Sequence, residues 1–594
     1  MATETGSAGA PATGPADVGL RREVGLVGAT WSSATSVIGS GWLFAGLGAA
    51  AAAGPAAIYG WIIGAAAVVI LALIHAELGA MYPVAGGTAR FPHLAFGSVA
   101  GTSFGFFSWL QAVTVAPIEV YAVLQYGSYY WQNTNHPTNQ WENIFNSVAG
   151  RTTDLGFLMA IVLMILFTAI NFLAVKWFAQ VSNTIMWWKL AVPVLTIIVF
   201  FFYFKSGNWS AGHAGKIDGN GGFLPFGVKA LFGAIPGAGI VFSYLGFEQA
   251  DQLAGEIKDP QKNLWKAILI AVGIGCIVYI GAQIVLIGAT PSNLLSNGFA
   301  GISKITTGNL AANAGAVAAY PFAAVAGLIG LRWLSIILHI DAFISPAGTA
   351  MIYETSTSRI GYGLGRNKYF PVWLQWTDRR GVPWFSLIAS FVFGLVFLLP
   401  FPSWQALVGL VTGASVLMYA GAPLSLSAFR SQVPEATRPY RVPGAVWFSP
   451  LAFVIASLII YVSGFPVVWK LGICIVVGYA VIGLFRLLHM MGVRGIYDGD
   501  PPPLDWRSAQ WLPAYLIGMG IVSWLGQYPD AAVVSPGAPP INTNTIPFGW
   551  DFLIVTVFSL AIFYWAQWAK LPRERMLERV AEQAATHGEV PVEA

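Results

Sequence analysis

Glycine, serine and glycine at positions 39 to 41 stand in the middle of a long apolar run, residues 25 to 53, within Ile38-Gly39-Ser40-Gly41-Trp42. Glycine loosens a helix, and a break at that depth leaves backbone N–H groups without partners where no water is at hand, so the break must line an internal cavity. The freed N–H groups and the positive end of the following half-helix suit a carboxylate. Small residues at helical spacing also serve plain helix packing, which is the competing reading of this one stretch. A second interrupted run, residues 227 to 254, holds Gly233, Pro236, Gly237 and Gly239, then Phe242-Ser243-Tyr244-Leu245-Gly246-Phe247-Glu248. Two interrupted runs in corresponding places point to a carrier whose substrate lies between them. The reading puts Ile38, Gly39, Ser40, Gly41, Phe242, Ser243, Tyr244 and Gly246 at the substrate, with Phe242 as a ring that covers it.

Ionisable residues inside apolar runs are costly and mark function or a buried partner. Lys189, in Trp187-Trp188-Lys189-Leu190, lies about 10 Å into its helix from one end. An amine there gains or loses a proton as water reaches it, which is what proton coupling requires; the alternative is a flexible stem that carries the charge to the interface. Glu119, after Pro117, is either a functional carboxylate or a structural acid that bridges helices. Arg332, His339 and Asp341 form either a mutually neutralising cluster or a selectivity lining, although Arg332 and Asp341 are about 13 Å apart along a helix. Ser345 and Thr349, four apart, place two hydroxyls on one helix face, where each can bond back to its own helix. The aromatic residues at 129 to 131 read as an interfacial belt and His75 as a packed residue.

The elements that must position these groups are membrane helices. Of the 594 residues 56% are hydrophobic and 9% charged, and apolar windows long enough to cross a bilayer recur along the chain. The spacing predicts about fourteen, at 25–53, 56–80, 100–131, 154–174, 182–204, 227–254, 266–289, 320–358, 383–401, 404–429, 444–465, 467–489, 509–526 and 547–570. Most of the 30 Lys and Arg residues fall in alternate loops, which places both termini in the cytoplasm. The predicted fold is an all-α integral membrane protein: a disordered cytoplasmic tail over 1–24, helices 1–5 over 25–205 and helices 6–10 over 227–430 as two inverted repeats, accessory helices 11–14 over 431–570, and a cytoplasmic tail over 571–594. Alternation typical of a β-barrel is absent, nothing suggests nucleic-acid binding, and Cys276 and Cys474 lie in apolar windows without metal-ligand spacing. No cofactor, metal or catalytic residue is expected, and the sequence leaves the oligomeric state open.

Four motifs carry a family resemblance. They are Glu77-Leu-Gly-Ala-Met-Tyr-Pro83 with Gly86-Gly87 and Trp109; Phe242 to Glu248 with Ala254-Gly-Glu256-Ile-Lys258-Asp-Pro260; Arg359 to Pro371; and Arg430 through Arg438-Pro-Tyr-Arg441 to Gly444. Together they resemble the amino acid-polyamine-organocation superfamily of permeases, over roughly residues 25 to 450. Ile340-Asp341-Ala-Phe-Ile-Ser345-Pro-Ala-Gly348 and the fourteen-window layout look most like its bacterial aspartate:proton symporter branch. The resemblance implies secondary active transport of an amino acid, proton-coupled at the plasma (inner) membrane, with acidic or neutral L-amino acids as substrates. It also implies a gating role for Phe242, proton coupling at Lys189, and a cation position at Ser345 and Thr349. Trp42, Ser108, Gly255 and Trp265 depart from the family's pattern and bear on the shape of the pocket. The competing classes are a proton-independent exchanger and a substrate-sensing membrane receptor; a membrane enzyme lacks a nucleophile and base pair, and a channel lacks a continuous polar path.

Overall fold

The computed structural model describes residues 24–83, 87–131, 136, 138–146, 151–172, 175–213, 222–296, 298–304, 308–379, 381–399, 401, 403–528 and 542–587. The tail expected over residues 1–24 lies, Val24 apart, outside them.

Helix fills every apolar window, because a buried or lipid-facing backbone must satisfy its polar groups within the segment. The first window is two helices, α1 (Leu26–Val37) and α2 (Gly41–Ala53), followed by α3 (Ala57–Met81). A short helix, α4 (Gly87–Phe96), leads into α5 (Ser98–Gly127), then α6 (Asp154–Phe172) and α7 (Val175–Phe201). The sixth window is α8 (Gly227–Gly237), α9 (Ile240–Tyr244) and α10 (Gln249–Gln252), and α11 (Pro260–Ala289) follows. A helix before the eighth, α12 (Gly308–Ala319), leads into it, and the eighth itself is α13 (Pro321–Leu328) and α14 (Arg332–Arg366). Next come α15 (Trp384–Leu398), α16 (Trp404–Tyr419), α17 (Gly421–Gln432), α18 (Ala445–Val462) and α19 (Phe465–Met490). The chain ends through α20 (Trp506–Ala509), α21 (Trp511–Leu525), α22 (Trp550–Ala569) and α23 (Arg573–His587).

Ten helices among the described residues are long and apolar enough to cross a membrane. The number falls four below the fourteen windows because α2 and α3 run together through one turn at Gly54–Ala56, because the sixth window divides into short pieces, and because α15 and α21 have only 15 residues each. Several elements fall outside the windows, among them α4, α12, a short ladder and α23. A two-residue antiparallel ladder pairs Phe145 with Thr152 and Asn146 with Arg151, too short to leave a periodic signal. The helix α23 occupies part of the expected C-terminal tail and docks on α4.

The largest helix pair is α5 with α14, and α14 also packs on α1, α6, α7 and α15. On the other side α11 lies along α3, α1 and α7. An 18-residue stretch within Trp404–Gln432 is wholly buried, whereas α6, α19 and α22 keep most of their apolar surface outward, as helices facing lipid do. The interrupted windows therefore sit at the centre, between the α5–α14 pair and α11. Where α3 stops, Glu77 is fully buried and accepts from Arg430 Nη2 and the Val442 N–H, both at 2.6 Å.

Candidate functional site

The two interruptions press directly on one another. A Cβ added to Gly41 would lie 2.5 Å from Ser243 Oγ, and one on Gly246 would lie 2.6 Å from Ser36 Cβ and 2.8 Å from the Ser36 carbonyl carbon. Gly246 also has φ +109°, open to glycine and strained for other residues. Gly39 is confined in the same way, with Glu119 Oε1 2.7 Å and Thr349 Oγ1 2.8 Å from where its Cβ would be. Glycine at these positions is thus a packing requirement as well as a helix breaker.

The helix ends at the break are only partly satisfied. Helix α1 stops at Val37, whose carbonyl accepts from Tyr279 Oη at 2.6 Å. At the start of α2 the Ser40 N–H donates to Glu119 Oε2 at 2.9 Å and Oε1 at 3.3 Å. The group seated on the positive end of α2 is therefore the protein's own carboxyl, placed where helix-dipole electrostatics favours an acceptor. Gly41 and Trp42 follow in the first turn, where N–H groups have no partner within the helix. The side chain of Ser40 accepts from Trp404 Nε1 at 2.7 Å. Trp404 in turn stacks on Phe44, with centroids 5.1 Å apart, and meets Phe242 edge-on at 5.7 Å.

Between the breaks lies a cavity of about 10 Å³, lined by Val37, Gly39, Gly41, Glu119, Phe242 and Thr349 among others. That is room on the order of one water molecule. The centre is closed in this arrangement.

Lys189 does not carry its charge to an interface. Its Nζ is fully buried and donates to Thr35 O at 2.6 Å, Thr349 Oγ1 at 2.7 Å and Ser345 O at 2.8 Å. Thr349 Oγ1 spends its own hydrogen on Thr35 O at 3.0 Å, so all three partners are acceptors and the amine is an ammonium with every N–H used. The cation held by Ser345 and Thr349 is thus this side chain. Asp341 is buried nearby and accepts from Ser345 Oγ at 2.7 Å and Trp42 Nε1 at 3.1 Å.

Several expected site residues stand apart. Arg332 is the exposed first residue of α14 and does not meet Asp341, because nine helical residues separate them. His339 turns to its own helix, Nδ1 on Ser335 O at 2.8 Å, among the rings of Tyr129, Tyr130 and Tyr320. The mutually neutralising Arg332–His339–Asp341 cluster is therefore not formed. Tyr244 points away from the cavity, its hydroxyl on Trp61 O at 3.3 Å. His75 is packed between Phe247 and Tyr419. Conversely, Trp404, Tyr279 and the Thr35 carbonyl belong to the site without any sequence signal. A tryptophan near a helix start reads as an interfacial residue, and a backbone carbonyl has no signature.

The side of the breaks away from Trp404 is closed by bonds that involve the flanks of the same two windows. Val24 pairs in parallel with Ile257, through Val24 N–H to Glu256 O at 2.9 Å and Lys258 N–H to Val24 O at 2.7 Å. Ser33 Oγ donates to Phe247 O at 2.8 Å and accepts from the Ala250 N–H at 3.0 Å, and Arg359 Nε meets Glu256 Oε1 at 2.6 Å. Among the described residues no group of three or more His, Cys, Asp or Glu side chains could hold a metal ion.

Residues 24–486 match the family model described as amino acid permease. The chain is 31% identical over 540 residues to an aspartate-proton symporter of Bacillus subtilis (strain 168), covering 91% of this chain and 94% of the relative. It is 29% identical over 550 residues to a glutamate/serine transporter of the same organism, covering 92% and 94%. A branched-chain amino acid permease, also from that organism, is 24% identical over 482 residues, covering 79% and 94%.

Proposed function

This chain belongs to the amino acid permease family, and from that premise we propose that it is a secondary active amino acid transporter coupled to protons by alternating access. The relatives are transporters, which points to a carrier rather than an enzyme, and the apolar helices make it an integral membrane protein. The finer reading has fourteen spans in the plasma membrane with both termini cytoplasmic. Residues 25–205 and 227–430 are the two inverted repeats, 431–570 the accessory helices, and 1–24 and 571–594 the tails. Its support is the pair of facing breaks, one in each proposed repeat.

The substrate's carboxylate takes the first-turn N–H groups around Gly39, Ser40 and Gly41, and Phe242 closes over it with Trp404. Ile38, Ser243 and Gly246 shape the unwound backbone. Glu119 holds the seat while the carrier is empty. An acidic or small neutral L-amino acid is the substrate class, in keeping with the aspartate and the glutamate or serine for which the two relatives are named.

The single observation that carries proton coupling is the Lys189 ammonium spanning α1 and α14 with all three hydrogens donated. It fills with a titratable amine the place that a sodium ion would need. The test is uptake of labelled L-aspartate, L-glutamate and L-serine into proteoliposomes with an alkaline interior, with sodium present and absent. Accumulation above the equilibrium level on the pH gradient alone is expected. Accumulation that requires a sodium gradient would refute the coupling.

A further inference from the structure

Two carboxyl groups three residues apart on the sixth window meet opposite fates. Glu248 is fully buried and accepts from the Gly246 N–H at 3.0 Å, Tyr419 Oη at 2.5 Å, Gln249 Nε2 at 3.3 Å and Tyr353 Oη at 3.4 Å. Asp251, on α10, is equally buried, and neither of its carboxyl oxygens has a hydrogen-bond partner. Four donors suit a carboxylate. None suits a neutral acid, because burying an unpaired charge costs far more than burying the protonated group. Carboxyls whose surroundings drive them apart in this way divide into a fixed anion and a proton carrier.

The setting of Asp251 explains why it lacks donors. A Cβ on Gly79 of α3 would lie 2.0 Å from its Oδ1, and that same point is 2.4 Å from Leu264 Cδ2 of α11. The first residue of α4, Gly87, lies against the Asp251 backbone carbonyl and Cβ. The titratable groups on the surrounding elements are engaged elsewhere. Glu77 of α3 is held by Arg430 and Arg438, and His75 by Leu71 O. On α4, His93 is bonded to Tyr369, and Arg90 makes interactions of its own. Lys262 and Lys266 of α11 are exposed. On α14, Glu354 takes Thr168 and Asn171, and Arg359 pairs with Glu256. Helix α1 brings no ionisable residue, and the charge that acts on Asp251 is that of Glu248.

We propose that Asp251 is a second proton-binding site, loaded while α10 is packed on α3 and α4 and emptied to the cytoplasm when that contact opens. The step is the ionisation of Asp251, COOH to COO⁻, with the proton passing to water that enters from the inner side. The adjacent Glu248 anion keeps the proton on Asp251 until water separates the two charges. The proposal rests on the carrier reading above and adds a site to it.

The test uses the full chain in lipid nanodiscs without substrate. Infrared spectra of the parent and of Asp251→Asn at neutral pH should differ by the loss of one protonated-carboxyl C=O band in the variant. Identical bands in the two would overturn the site. In proteoliposomes, counterflow of labelled L-serine, L-aspartate and L-glutamate should depend on internal pH in the parent and lose that dependence in Asp251→Asn, with exchange itself retained. A variant that keeps the parent's internal-pH profile would overturn release to the cytoplasm. A parent that shows the band but no counterflow of any of the three amino acids would refute the carrier reading instead, which the infrared measurement does not depend on.

Discussion

Replacing Lys189 with methionine keeps the stem and deletes the ammonium. Three charge-assisted bonds disappear at once: those to Thr35 O, Ser345 O and Thr349 Oγ1. Thr349 still donates to Thr35 O, so part of the α1–α14 junction survives. The larger loss is electrostatic, because Glu119 and Asp341 keep their donors and lose the one buried cation near them. Removing one partner from a buried set of charges costs about 3–5 kcal/mol, so the closed arrangement should lose at least a hundredfold in population. Adding Glu119→Gln to Lys189→Met should restore part of this, by about 0.5–3 kcal/mol of coupling, since it removes an uncompensated anion. The assay is accumulation of labelled amino acid in proteoliposomes with an imposed pH gradient, beside binding measured by ligand-induced thermal stabilisation. Lys189→Met should abolish uphill accumulation and keep measurable binding. A Lys189→Met protein that accumulates substrate against its gradient with the parent's pH dependence would refute the coupling role.

Four further outcomes follow from individual contacts. Trp404→Phe keeps a ring on Phe44 but deletes the bond to Ser40 Oγ, so half-saturation for uptake should rise by about twofold to tenfold, the worth of one neutral hydrogen bond; unchanged kinetics would remove Trp404 from the site. Gly246→Ala forces its methyl into Ser36 at a positive φ, and transport should fall while the purified protein remains folded, as read by circular dichroism and gel filtration; full activity would show that the two breaks separate freely. Arg359→Gln breaks the pair with Glu256, and cysteines placed behind that pair should react faster with a reagent applied from inside the vesicle; an unaltered rate would exclude the pair as a closure. At the inner face, burial first and then Arg579 and Arg90 lower the His93 pKa from 6.5 to about 3. The unfolded chain therefore binds more protons between these values, the contribution of His93 is lost as pH falls from 6.5 towards 3, and His93→Asn should lose less thermal stability over that window than the parent; equal losses would contradict it.

The fold was legible because bilayer-length apolar windows are a direct consequence of backbone desolvation, and all of them contain helix here. The breaks at 38–40 and 238–248 were legible for the same reason, since Gly-Ser-Gly has no cheap place in a membrane helix. What stayed hidden is what depends on three-dimensional register. Trp404 is far from Ser40 in sequence, and only the fold brings the indole onto the hydroxyl. The separation of Arg332 from Asp341 was legible in their spacing, but that Asp341 would meet Trp42 of the first window was not. Asp251 was invisible because the sequence gives its type and place without the partners that its carboxyl lacks. The short ladder at Phe145–Thr152 and the docked α23 were missed because neither has a membrane-length apolar period.

The contacts that close the centre share one property that links proton and movement. On one side Ser40 meets Trp404 and Phe242 meets Trp404; on the other Val24 meets Ile257 and Glu256 meets Arg359. Every one of them has a member in or directly flanking one of the two broken windows, and Gly41 on Ser243 and Gly246 on Ser36 bind those windows to each other. On the proposed mechanism the windows shift together against the α5–α14 pair, opening the contacts to Trp404 or to Arg359, while the Val24–Ile257 pairing, which joins the two windows, moves with them. Lys189 takes one acceptor from α1 and two from α14, so its ammonium lies across the boundary along which such a shift would occur. Neutralising the amine removes a donor from that junction, and three acceptors cannot all be satisfied by the two hydrogens that remain. On the proposed coupling, the protonation state of one lysine would bias the position of both windows, with no need for a longer path of communication through the protein.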